Sequence, residues 1–453
     1  MRIPNKSSAP ADRTRPANPA ASASVLIVVL WVTVGLISIT LYFAGSMSLE
    51  LRASGNRAAA VAADQAVEGA ARYVGWALSN FVTNGILVTN SQFICESLPI
   101  GEARVWIIGR KPSGTVSTEP TFGLLDEGSK LNLNRANSNA LVSLPGMTAE
   151  VAAAIVDWRS TNGTLSLGYT SLGYSAKHAP FETVDELRLV YGVTLEDLIG
   201  DDANRNGVLD TNERSLTGSR EPTPGLLEST TVFSREPNFH SDGTSLTNIN
   251  TRAQIEGLLT EAFGSTRGRQ IVAQLGFTPR NNPTFPSLLR FYLNSGLSAD
   301  DFARINPNIS NTTNTYTYGR VNINTASREV LTALFVGAGI SAQSADSAAS
   351  TLVSYRQQNP TALSTVAWLV TALGRTHPAV TTLAGRDLIT TRSFQYTADI
   401  VAVGPFGRGY SRVKYIFDLS DGTPRIIYRQ DLGRLGWALG ERIRDLTVAM
   451  NTP

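Results

Sequence analysis

An uninterrupted apolar segment near the N-terminus constrains this chain more than any other feature. Residues Val25–Ala44 contain no charged side chain. As a helix rising about 1.5 Å per residue, this 20-residue segment would be about 30 Å long, which matches the hydrocarbon core of a bilayer. We therefore predict a membrane span. A cleaved secretory signal is the alternative interpretation, but the apolar region of such a signal is usually only about 7 to 15 residues long.

The polar residues 1–23 ahead of the span determine its predicted orientation. They carry four basic side chains and one acidic side chain, Asp12. Because basic residues favour the cytoplasmic side, we expect the N-terminus in the cytoplasm and the residues after the span on the far side. The remaining chain carries 35 basic and 36 acidic residues. So balanced a charge gives little attraction for polyanions, and nucleic acid is not expected as a partner.

The helical pattern continues beyond the apolar segment. Residues 46–80 contain no proline and much alanine, both of which favour a helix. A loose apolar stripe recurs there between charged residues, at Leu49, Val61, Val67, Val74 and Leu78. We therefore predict one transmembrane and stalk helix over residues 24–80.

Strand-like segments flank a long helical block. Alternation of apolar and polar residues predicts strands at Phe394–Val403 and Arg412–Leu419, with a turn at residues 420–423. Earlier predicted elements are strands at Phe81–Ser91 and Arg104–Arg110 and a hairpin over Phe122–Asn134. These patterns predict an α+β fold, a small antiparallel sheet interrupted by a large all-helical insertion. The predicted segments are 81–134 and 381–430 for the sheet, 135–380 for the insertion and 431–453 for a tail.

An asparagine motif occurs three times around the predicted insertion. Its copies share the form Asn-apolar-Asn-polar and begin at Asn132, Asn248 and Asn322. We predict a strand end whose second asparagine, or a following threonine, caps the next helix. The spacings of 116 and 74 residues are unequal, which argues against a solenoid of regular repeats.

Two segments resemble helix-hairpin-helix or SAM-like units, at residues 138–158 and 327–340. The turns of DNA-binding hairpins use glycines to bring backbone N–H groups close to a phosphate. In the first segment Thr148 stands where a second glycine is expected, and the second segment keeps Gly337 and Gly339 but has few nearby bases. We favour a packing role for both hairpins, with phosphate binding as the alternative.

A calcium-type loop occupies residues 202–213, DANRNGVLDTNE. It matches the EF-hand pattern at every specified position, including the glycine that permits the sharp turn, Gly207. Calcium prefers about six to eight oxygen ligands, and alternate residues of a tight loop can direct oxygens inward. The predicted ligands are Asp202, Asn204, Asn206, the Val208 carbonyl, Asp210 and Glu213. An ordinary solvated Asn/Asp/Gly turn is the alternative.

Catalytic patterns are missing from the sequence. It contains no nucleophile motif or phosphate loop, and its three histidines, His178, His240 and His377, are scattered. A single cysteine, Cys95, excludes an internal disulfide and a cysteine-rich zinc site. We predict that the protein is not an enzyme.

The short basic leader, the apolar segment and the amphipathic helix resemble the N-terminus of type IV pilins and pseudopilins. In that family a prepilin peptidase cleaves after a small residue directly before the apolar segment, and the matching positions here are Ala23 and Ser24. The family usually has a glutamate at the fifth mature position, where this chain has Val28. That difference is typical of the type II secretion minor pseudopilin K (GspK) family, whose members are thought to sit at the pseudopilus tip. A carboxylate buried in lipid is useful only if it pairs with the subunit ahead, and a tip subunit has none.

The helical block resembles the same GspK family. The matching segments, in order, are LNLNRANSNALVSLPGMTAEVAAAIVDWR, KHAPFETVDELRLVYGVT, the calcium-type loop and GRVNINTASREVLTAL. The resemblance implies a pilin-like fold with an inserted helical domain, bound calcium, and assembly with the minor pseudopilins I and J. It further implies the major pseudopilin, an inner-membrane assembly platform and a prepilin peptidase as partners, and a single-pass inner-membrane location with the C-terminal domain in the periplasm.

These features together predict a non-enzymatic subunit that initiates or caps a pseudopilus for export of folded proteins. The alternative is a membrane-anchored helix-hairpin-helix DNA receptor of the competence type. A surface adhesin of a pilus is a third possibility, which the sequence does not separate from a secretion subunit.

Overall fold

A computed structural model of the chain describes residues 19–83, 85–87, 94–111, 119–163, 166–211, 213 and 223–443. Most of the predicted leader, residues 1–18, and the end of the predicted tail, residues 444–453, lie outside these ranges. The chain divides into two compact units, with the boundary between Ala58 and Ala59.

Fourteen helices are found within the described ranges. In chain order they are α1 Pro19–Phe81, α2 Ser138–Val142, α3 Ala149–Arg159, α4 Ser166–Ser171, α5 Leu195–Ile199, α6 Leu226–Ser229, α7 Arg252–Phe263, α8 Ser265–Gln274, α9 Leu288–Ser295, α10 Ala299–Ile305, α11 Arg328–Gly337, α12 Ala342–Gln358, α13 Ala367–Leu373 and α14 Pro378–Ala384. A six-residue 3₁₀ helix, Val184–Leu189, lies between α4 and α5.

Sixteen strands, most of them very short, accompany these helices in the described part of the chain. They are β1 Val82–Thr83, β2 Ile86–Leu87, β3 Leu98–Ile100, β4 Ala103–Ile108, β5 Leu125–Asp126, β6 Leu131–Asn132, β7 Thr230–Thr231, β8 Arg235–Pro237, β9 Thr247–Asn248, β10 Ile309–Ser310, β11 Tyr316–Tyr318, β12 Val321–Asn322, β13 Ile389–Thr390, β14 Gln395–Val403, β15 Tyr410–Asp418 and β16 Arg425–Asp431.

The main sheet has the strand order β16-β15-β14-β4-β3, and all its pairings are antiparallel. Strand β5 also pairs with β14, at the residues that β4 leaves unpaired. The chain enters the helical insertion after β5 and returns to the sheet at β14. The predicted α+β class, with a small antiparallel sheet interrupted by a helical insertion, is therefore confirmed.

One face of the sheet packs on the C-terminal part of α1. The buried helix positions recur every three or four residues, as a helix facing a core requires. They are Ala59, Ala63, Ala66, Val67, Ala70, Ala71, Val74, Ala77 and Leu78. The predicted stripe was thus partly wrong: Val67, Val74 and Leu78 are buried, whereas Leu49 and Val61 are exposed. Alanine supplies most of the face because small side chains bring the helix backbone close to the sheet.

The turn between β14 and β15 shows how close that approach is. A Cβ atom on Gly404 or Gly409 would lie 2.4 Å from the Ala59 carbonyl oxygen. Gly409 also has a φ of +72°, a conformation that favours glycine. Both positions therefore require glycine for the helix to seat against the sheet.

The opposite face of the sheet contacts the C-terminal segment and the insertion. Apolar side chains from β4 and β14 form a small core with Ala438, Leu439 and Ile443. Part of the predicted tail is therefore packed: β16 continues through Asp431, and residues 438, 439 and 443 are buried. Asp399 and Arg412 also lie on this face and are buried, and Arg412 contacts the backbone of the insertion at Asn204 and Arg205.

Three two-residue parallel strand pairs organise the insertion. Strand β6 pairs with β7, β9 with β10, and β12 with β13. Each asparagine motif provides one of these strands, so every copy begins a module that closes when the chain returns to pair with it. The predicted hairpin over Phe122–Asn134 is wrong, because β5 pairs with β14 and β6 pairs with β7 instead.

The second asparagine of the motif does not cap the next helix, contrary to the prediction, and of the threonines that follow it only Thr251 takes the N-cap position. The first asparagine of each copy accepts a hydrogen bond from the backbone N–H of the second, with distances of 2.9 Å at Asn132, 2.9 Å at Asn248 and 3.0 Å at Asn322. The N-caps of the following helices are Asn137, Thr251 and Ser327, and Thr251 makes no side-chain cap bond. The first asparagine therefore forms an Asx turn that ends the strand.

The second asparagine of each motif clamps a distant loop. Asn134 bonds both backbone groups of Phe181, and Asn250 does the same with Phe285. Asn324 donates to the Leu363 carbonyl and accepts from the Trp368 indole. The repeat thus reflects a shared way of closing each helical module.

The remaining predicted elements agree in part with the structure. Helix α1 continues to Phe81, and the predicted strand at Phe81–Ser91 is replaced by the short pair β1 and β2, with residues 84 and 88–91 outside the described ranges. The predicted strand at Arg104–Arg110 corresponds to β4. The predicted turn at residues 420–423 connects β15 to β16, and Gly422 has a φ of +83° there.

Candidate metal centre and its support

The calcium-type loop follows helix α5 in the first module. Gly200 ends this helix with a φ of +62°, and the Asp201 backbone N–H donates to the Thr223 carbonyl 3.1 Å away. The entering helix has only five residues. Residues 212 and 214–222 lie outside the described ranges, so the structure describes every predicted ligand but not the segment that leaves the loop.

The carboxylates at the two ends of the loop bind the loop's own backbone. Asp202 accepts hydrogen bonds from the N–H groups of Asn206 and Gly207, at 3.0 and 2.6 Å. Glu213 accepts from the N–H groups of Asn204 and Asp210, at 3.1 and 2.9 Å. Both side chains are buried, with exposed fractions of 4% and 2%. The loop therefore gathers its first and last carboxylates inside the protein.

The central polar side chains of the loop contact one another. Asn204 and Asn206 both approach the Asp210 carboxylate through their amide groups, at 2.6 and 3.3 Å. The Asn206 oxygen accepts from the Val208 N–H at 2.7 Å. The six predicted ligand residues thus belong to one hydrogen-bonded loop. Positive φ values at Arg205 (+58°) and Gly207 (+78°) give the backbone its sharp turn.

The donor set fits a hard cation in its chemistry. Three carboxylates, two amides and one carbonyl are all oxygen donors, as calcium prefers. No group of three or more His, Cys, Asp or Glu side chains placed to share a metal is found within the described ranges. A calcium site here would therefore depend on the amide oxygens of Asn204 and Asn206 and on the Val208 carbonyl as much as on the carboxylates.

Burial has an electrostatic consequence for the first carboxylate. It raises the pKa of Asp202 to about 6, against the lowering effect of nearby Arg110. A buried carboxylate is costly unless a cation or hydrogen bonds compensate its charge. Calcium at this position would favour the ionised form, so binding and deprotonation of Asp202 are linked.

A buried ion pair of the sheet contacts the backbone of the loop. Arg412 on β15 is fully buried and binds Asp399 on β14 through two hydrogen bonds of 2.9 and 2.6 Å. The same guanidinium donates to the carbonyls of Asn204 and Arg205, at 2.6 and 2.7 Å. The sheet thereby fixes the path of the loop backbone between two predicted ligands.

A second arginine reaches the same point of the loop. Arg110, which follows β4, donates to the Arg205 carbonyl at 2.8 Å and binds Glu228 on α6 at 2.8 and 2.9 Å. A Cβ atom on Gly207 would lie 2.7 Å from the Arg110 side chain. Gly207 is therefore required both for its backbone conformation and for this close contact. The Arg205 carbonyl accepts hydrogen bonds from two arginines of the sheet region.

The C-terminal segment also contacts the loop. Asn204 donates to the Trp437 carbonyl at 3.2 Å, and the Thr211 hydroxyl donates to Glu441 at 2.9 Å. Sequence reasoning missed these supports because they lie far from the loop in the chain. The one local signal of a support for the loop was Arg412, a charged residue within an alternating strand.

The two helix-hairpin-helix-like segments pack against each other. A Cβ atom on Gly337 of α11 would lie 2.6 Å from the Ala140 Cβ of α2, and Asn137 donates to the Gly337 carbonyl at 2.8 Å. Gly337 is thus used for close helix packing. Gly146 and Gly339, with φ values of +74° and +99°, provide the turns.

Basic residues near the second hairpin are engaged within the protein. Arg328 forms an ion pair with Asp346 at 2.6 Å. Arg356 is buried and donates to the Ile323 carbonyl at 3.1 Å. In the first module Arg159 donates to the Leu133 and Ala136 carbonyls in the equivalent position. These contacts favour the packing interpretation of both hairpins over phosphate binding.

His178 and His377 make hydrogen bonds to the local backbone, and Cys95 is partly buried. His178 Nδ1 lies 2.8 Å from the Ser160 carbonyl oxygen, and His377 Nδ1 accepts from the Ala379 N–H at the start of α14. Burial raises the pKa of the Cys95 thiol to about 12, so the thiol is protonated at neutral pH.

The predicted membrane span lies within helix α1. Its large apolar side chains from Val25 to Phe43 are exposed, and Val25–Phe81 contains the one stretch within the described ranges that is long and apolar enough to cross a membrane. A signal sequence would meet the same criterion. The predicted cleavage residues Ala23 and Ser24 lie within α1, outside the part whose side chains the structure describes.

The fold and the loop together define a class: an α+β protein with an apolar N-terminal helix and a calcium-type loop in a helical insertion. No protein-family model matches the chain, and no curated protein matches it. Among solved structures, the chain is similar to a chain of the GspK–GspI–GspJ complex from the type 2 secretion system of enterotoxigenic Escherichia coli. That similarity has a TM-score of 0.39 and 11% sequence identity, and it covers 84% of this chain and 99% of the other.

Proposed function

We propose that this protein is a non-enzymatic minor pseudopilin of a type II secretion system. The observation that carries the proposal is the composition of helix α1. It begins with an exposed apolar segment of membrane-spanning length and ends with an alanine face packed on an antiparallel sheet. A helix of this kind can anchor a subunit in the bilayer and, after extraction, bury the same apolar surface against neighbouring helices of a fibre.

We place the subunit at the pseudopilus tip, where it initiates or caps assembly. Val28 supports this position, because a tip subunit needs no glutamate to neutralise the N-terminus of a subunit ahead. The sequence resemblance to the GspK family supports the minor pseudopilins I and J as direct partners. The other proposed partners are the major pseudopilin, the inner-membrane assembly platform and prepilin peptidase.

Calcium binding by the loop is part of this proposal. Asp202, Asn204, Asn206, Asp210 and Glu213 would supply side-chain oxygens, and Val208 would supply its carbonyl. The supporting observations are the burial of both terminal carboxylates and the fixed loop backbone. Bound calcium would hold the first module on the sheet rather than move helices, since Arg110 and Arg412 fix the loop from one side.

Co-purification of the full-length chain from membranes tests the proposed partners. The protein is expressed with minor pseudopilins I and J and prepilin peptidase, and solubilised in mild detergent. We expect a complex of the three pseudopilins, and we expect a Val61→Glu variant, altered at an exposed position of α1, to weaken it. A Lys111→Glu variant outside α1 is the control. Failure of the wild-type chain to associate with either partner would contradict the proposal.

Binding of duplex DNA separates the proposed function from that of a competence-type receptor. The full chain in detergent is titrated with fluorescent duplex DNA at low salt. Because few bases lie near the second hairpin, and of these Arg328 pairs with Asp346 at the surface and Arg356 is buried, we expect no measurable binding. Salt-dependent binding that is lost in an Arg328→Gln variant would favour the DNA receptor instead.

A further inference from the structure

The turn between β14 and β15 carries the most exposed large apolar side chain among the described residues after Ala58. Phe406, in the middle of this turn, is 74% exposed. A phenylalanine left in water forgoes the stabilisation that burial of its ring would give. The ring of Phe406 therefore contributes little to the stability of the free chain.

The backbone of Phe406 is also in an unfavourable conformation. Its φ and ψ are +57° and +28°, in the left-handed region, where the Cβ atom crowds the following carbonyl oxygen. Bulky residues seldom occupy this region, whereas glycine adopts it freely. Two other residues of the turn with positive φ are glycines, Gly407 at +63° and Gly409 at +72°. Phenylalanine at position 406 thus costs stability through both its backbone and its exposed ring.

Contacts within the turn and with α1 hold Phe406 in this conformation. The Gly404 N–H donates to the Gly409 carbonyl at 3.1 Å, and the Arg408 N–H donates to the Pro405 carbonyl at 3.2 Å. Both glycines also lie against the α1 backbone at Ala59. The ring is thus presented from a fixed support, which reduces the entropy lost when a partner binds it.

The position of the turn indicates which molecule the ring contacts. The turn packs on α1 at Ala59, and α1 is the helix that the proposed function places against neighbouring subunits. A subunit packed beside α1 at this level would lie next to Phe406. The inference rests on the proposed function in this respect.

A protein pocket fits this ring better than a lipid surface does. Binding at a membrane interface depends on a broad apolar face and on several basic residues. Here the ring stands between Pro405 and Gly407, and the turn carries one basic residue, Arg408. Aromatic and arginine side chains are enriched among the few residues that dominate the binding energy of protein interfaces.

We propose that Phe406 is an anchor residue for a neighbouring pseudopilin, whose head receives the ring in an apolar pocket. Because Arg408 is exposed two residues further along the turn, the pocket carries a carboxylate at its rim. The exposure of the ring in the free chain is then compensated on assembly, when the ring leaves water. The turn between β14 and β15 thereby adds a contact between heads to the contacts of α1.

Two substitutions separate this role from a role in folding. Phe406→Gly and Phe406→Asn both remove the ring and introduce a residue that accepts the left-handed conformation. Because the ring is exposed and the backbone strain is relieved, we expect neither variant to lower the Tm of the full chain in detergent. A lowered Tm in both variants would show that the ring stabilises its own head, and would overturn the proposal.

Assembly with the minor pseudopilins I and J measures the contribution of the anchor. The full-length chain in mild detergent is titrated with both partners, and the dissociation constant of the complex is determined. We expect each Phe406 variant to weaken the complex about tenfold or more, the effect of removing a dominant interface side chain. Leu172→Ala, which truncates an exposed apolar side chain of the insertion, is the control and should bind like wild type.

The outcomes distinguish this inference from the proposed function. Wild-type association that both Phe406 variants leave unchanged would overturn the inference alone. A wild-type chain that does not associate with either partner would overturn the proposed function and the inference with it.

A photoreactive phenylalanine analogue at position 406 identifies what the ring contacts. In membranes that contain all three pseudopilins, we expect a crosslink to an apolar segment in the head of one partner, located by mass spectrometry of the crosslinked peptides. Crosslinks to lipid alone, or only to residues of this chain, would overturn the proposal.

Discussion

Arg412 and Asp399 form a doubly hydrogen-bonded ion pair between the two central strands of the sheet, with distances of 2.9 and 2.6 Å. Arg412 is fully buried, and it also donates to two carbonyls of the calcium-type loop. All of the guanidinium's contacts are therefore inside the protein. One side chain of the sheet thus supports both the sheet's own strand pair and the proposed metal site.

Replacing Arg412 tests this double role. In an Arg412→Met variant, Asp399 stays buried without its cation, and we expect the free energy of unfolding to fall by about 3 to 5 kcal/mol. Chemical denaturation of the full chain in detergent measures the loss. An Arg328→Met variant is the matched control, because it breaks an exposed ion pair worth only about 0 to 1 kcal/mol. Equal losses in the two variants would show that the buried pair has no special role.

The contact between Gly337 and Ala140 makes a prediction about helix packing. A Gly337→Ala variant places a methyl group 2.6 Å from the Ala140 Cβ, so α2 and α11 must move apart. We expect a loss of about 1 to 3 kcal/mol in the free energy of unfolding. The control is Gly257→Ala in α7, where no atom lies within 4 Å of the new methyl group. That variant should be neutral or more stable by up to about 1 kcal/mol, since alanine favours the helix. A destabilised control and an unaffected Gly337→Ala variant would contradict this packing.

The asparagine clamps are also testable. An Asn324→Ala variant removes the acceptor of the Trp368 indole and the donor to the Leu363 carbonyl, both at 2.9 Å. We expect a loss of about 1 to 3 kcal/mol and a change in tryptophan fluorescence, because polar groups near the core lose their partners. Asn281→Ala, at an exposed asparagine that donates to the Gly276 carbonyl, should change stability by less than about 0.5 kcal/mol. An Asn324→Ala variant as stable as this control would show that the clamp contributes nothing.

Chelation tests the calcium prediction. Removal of calcium from the full chain should lower its Tm, since a ligand that binds only the folded state stabilises it. The double variant Asp202→Ala, Glu213→Ala should start from a lower Tm and show no response to chelator or to added calcium. Thermal unfolding monitored by circular dichroism measures both effects. If chelator leaves the wild-type Tm unchanged, the loop is an ordinary turn.

The pH dependence of that calcium effect follows from Asp202. Its pKa is raised from 3.8 to about 6 when no cation is bound, so the calcium-free protein loses the corresponding stabilisation as the pH rises through about 6. Calcium needs the ionised carboxylate, so its stabilising effect should grow over the same range. The difference in Tm with and without calcium is therefore expected to be small at pH 5 and larger at pH 7. A difference independent of pH would exclude Asp202 as a ligand.

The sequence predicted the sheet where one pattern dominates. Residues along β14 and β15 alternate in character because successive side chains face opposite sides of a sheet, and both strands formed close to the predicted positions. The two-residue strands of the insertion are too short for any alternation. Their existence depends on partners far away in the chain, so their pairing could not be predicted from local pattern.

The packed face of α1 illustrates a second limit. The predicted stripe consists of large apolar residues, but Leu49 and Val61 are exposed while alanines such as Ala63 and Ala70 are fully buried. Alanine was visible only as a helix former, and its use as a close-packing surface depends on the sheet it meets. Local sequence therefore predicted the helix but not its buried face.

The candidate loop also combines a feature that local sequence predicts with a contact that depends on the fold. The spacing from Asp202 to Glu213 predicts a ligand set, because each position of a tight loop has a distinct geometric requirement, and calcium binding by that set stays a prediction. The supporting arginine could not be predicted, since Arg412 and Arg205 are 207 residues apart in the chain. Tertiary contacts of this kind become visible only when the fold brings the sheet beneath the loop.

The fate of the apolar N-terminal helix tests the central claim most directly. Intact-mass spectrometry of the mature protein, recovered separately from membranes and from the medium, measures which residues are retained. We predict a membrane-bound chain that begins at Ser24 and keeps Val25–Ala44. A chain found free in the medium without that segment would contradict the assignment as a membrane-anchored fibre subunit.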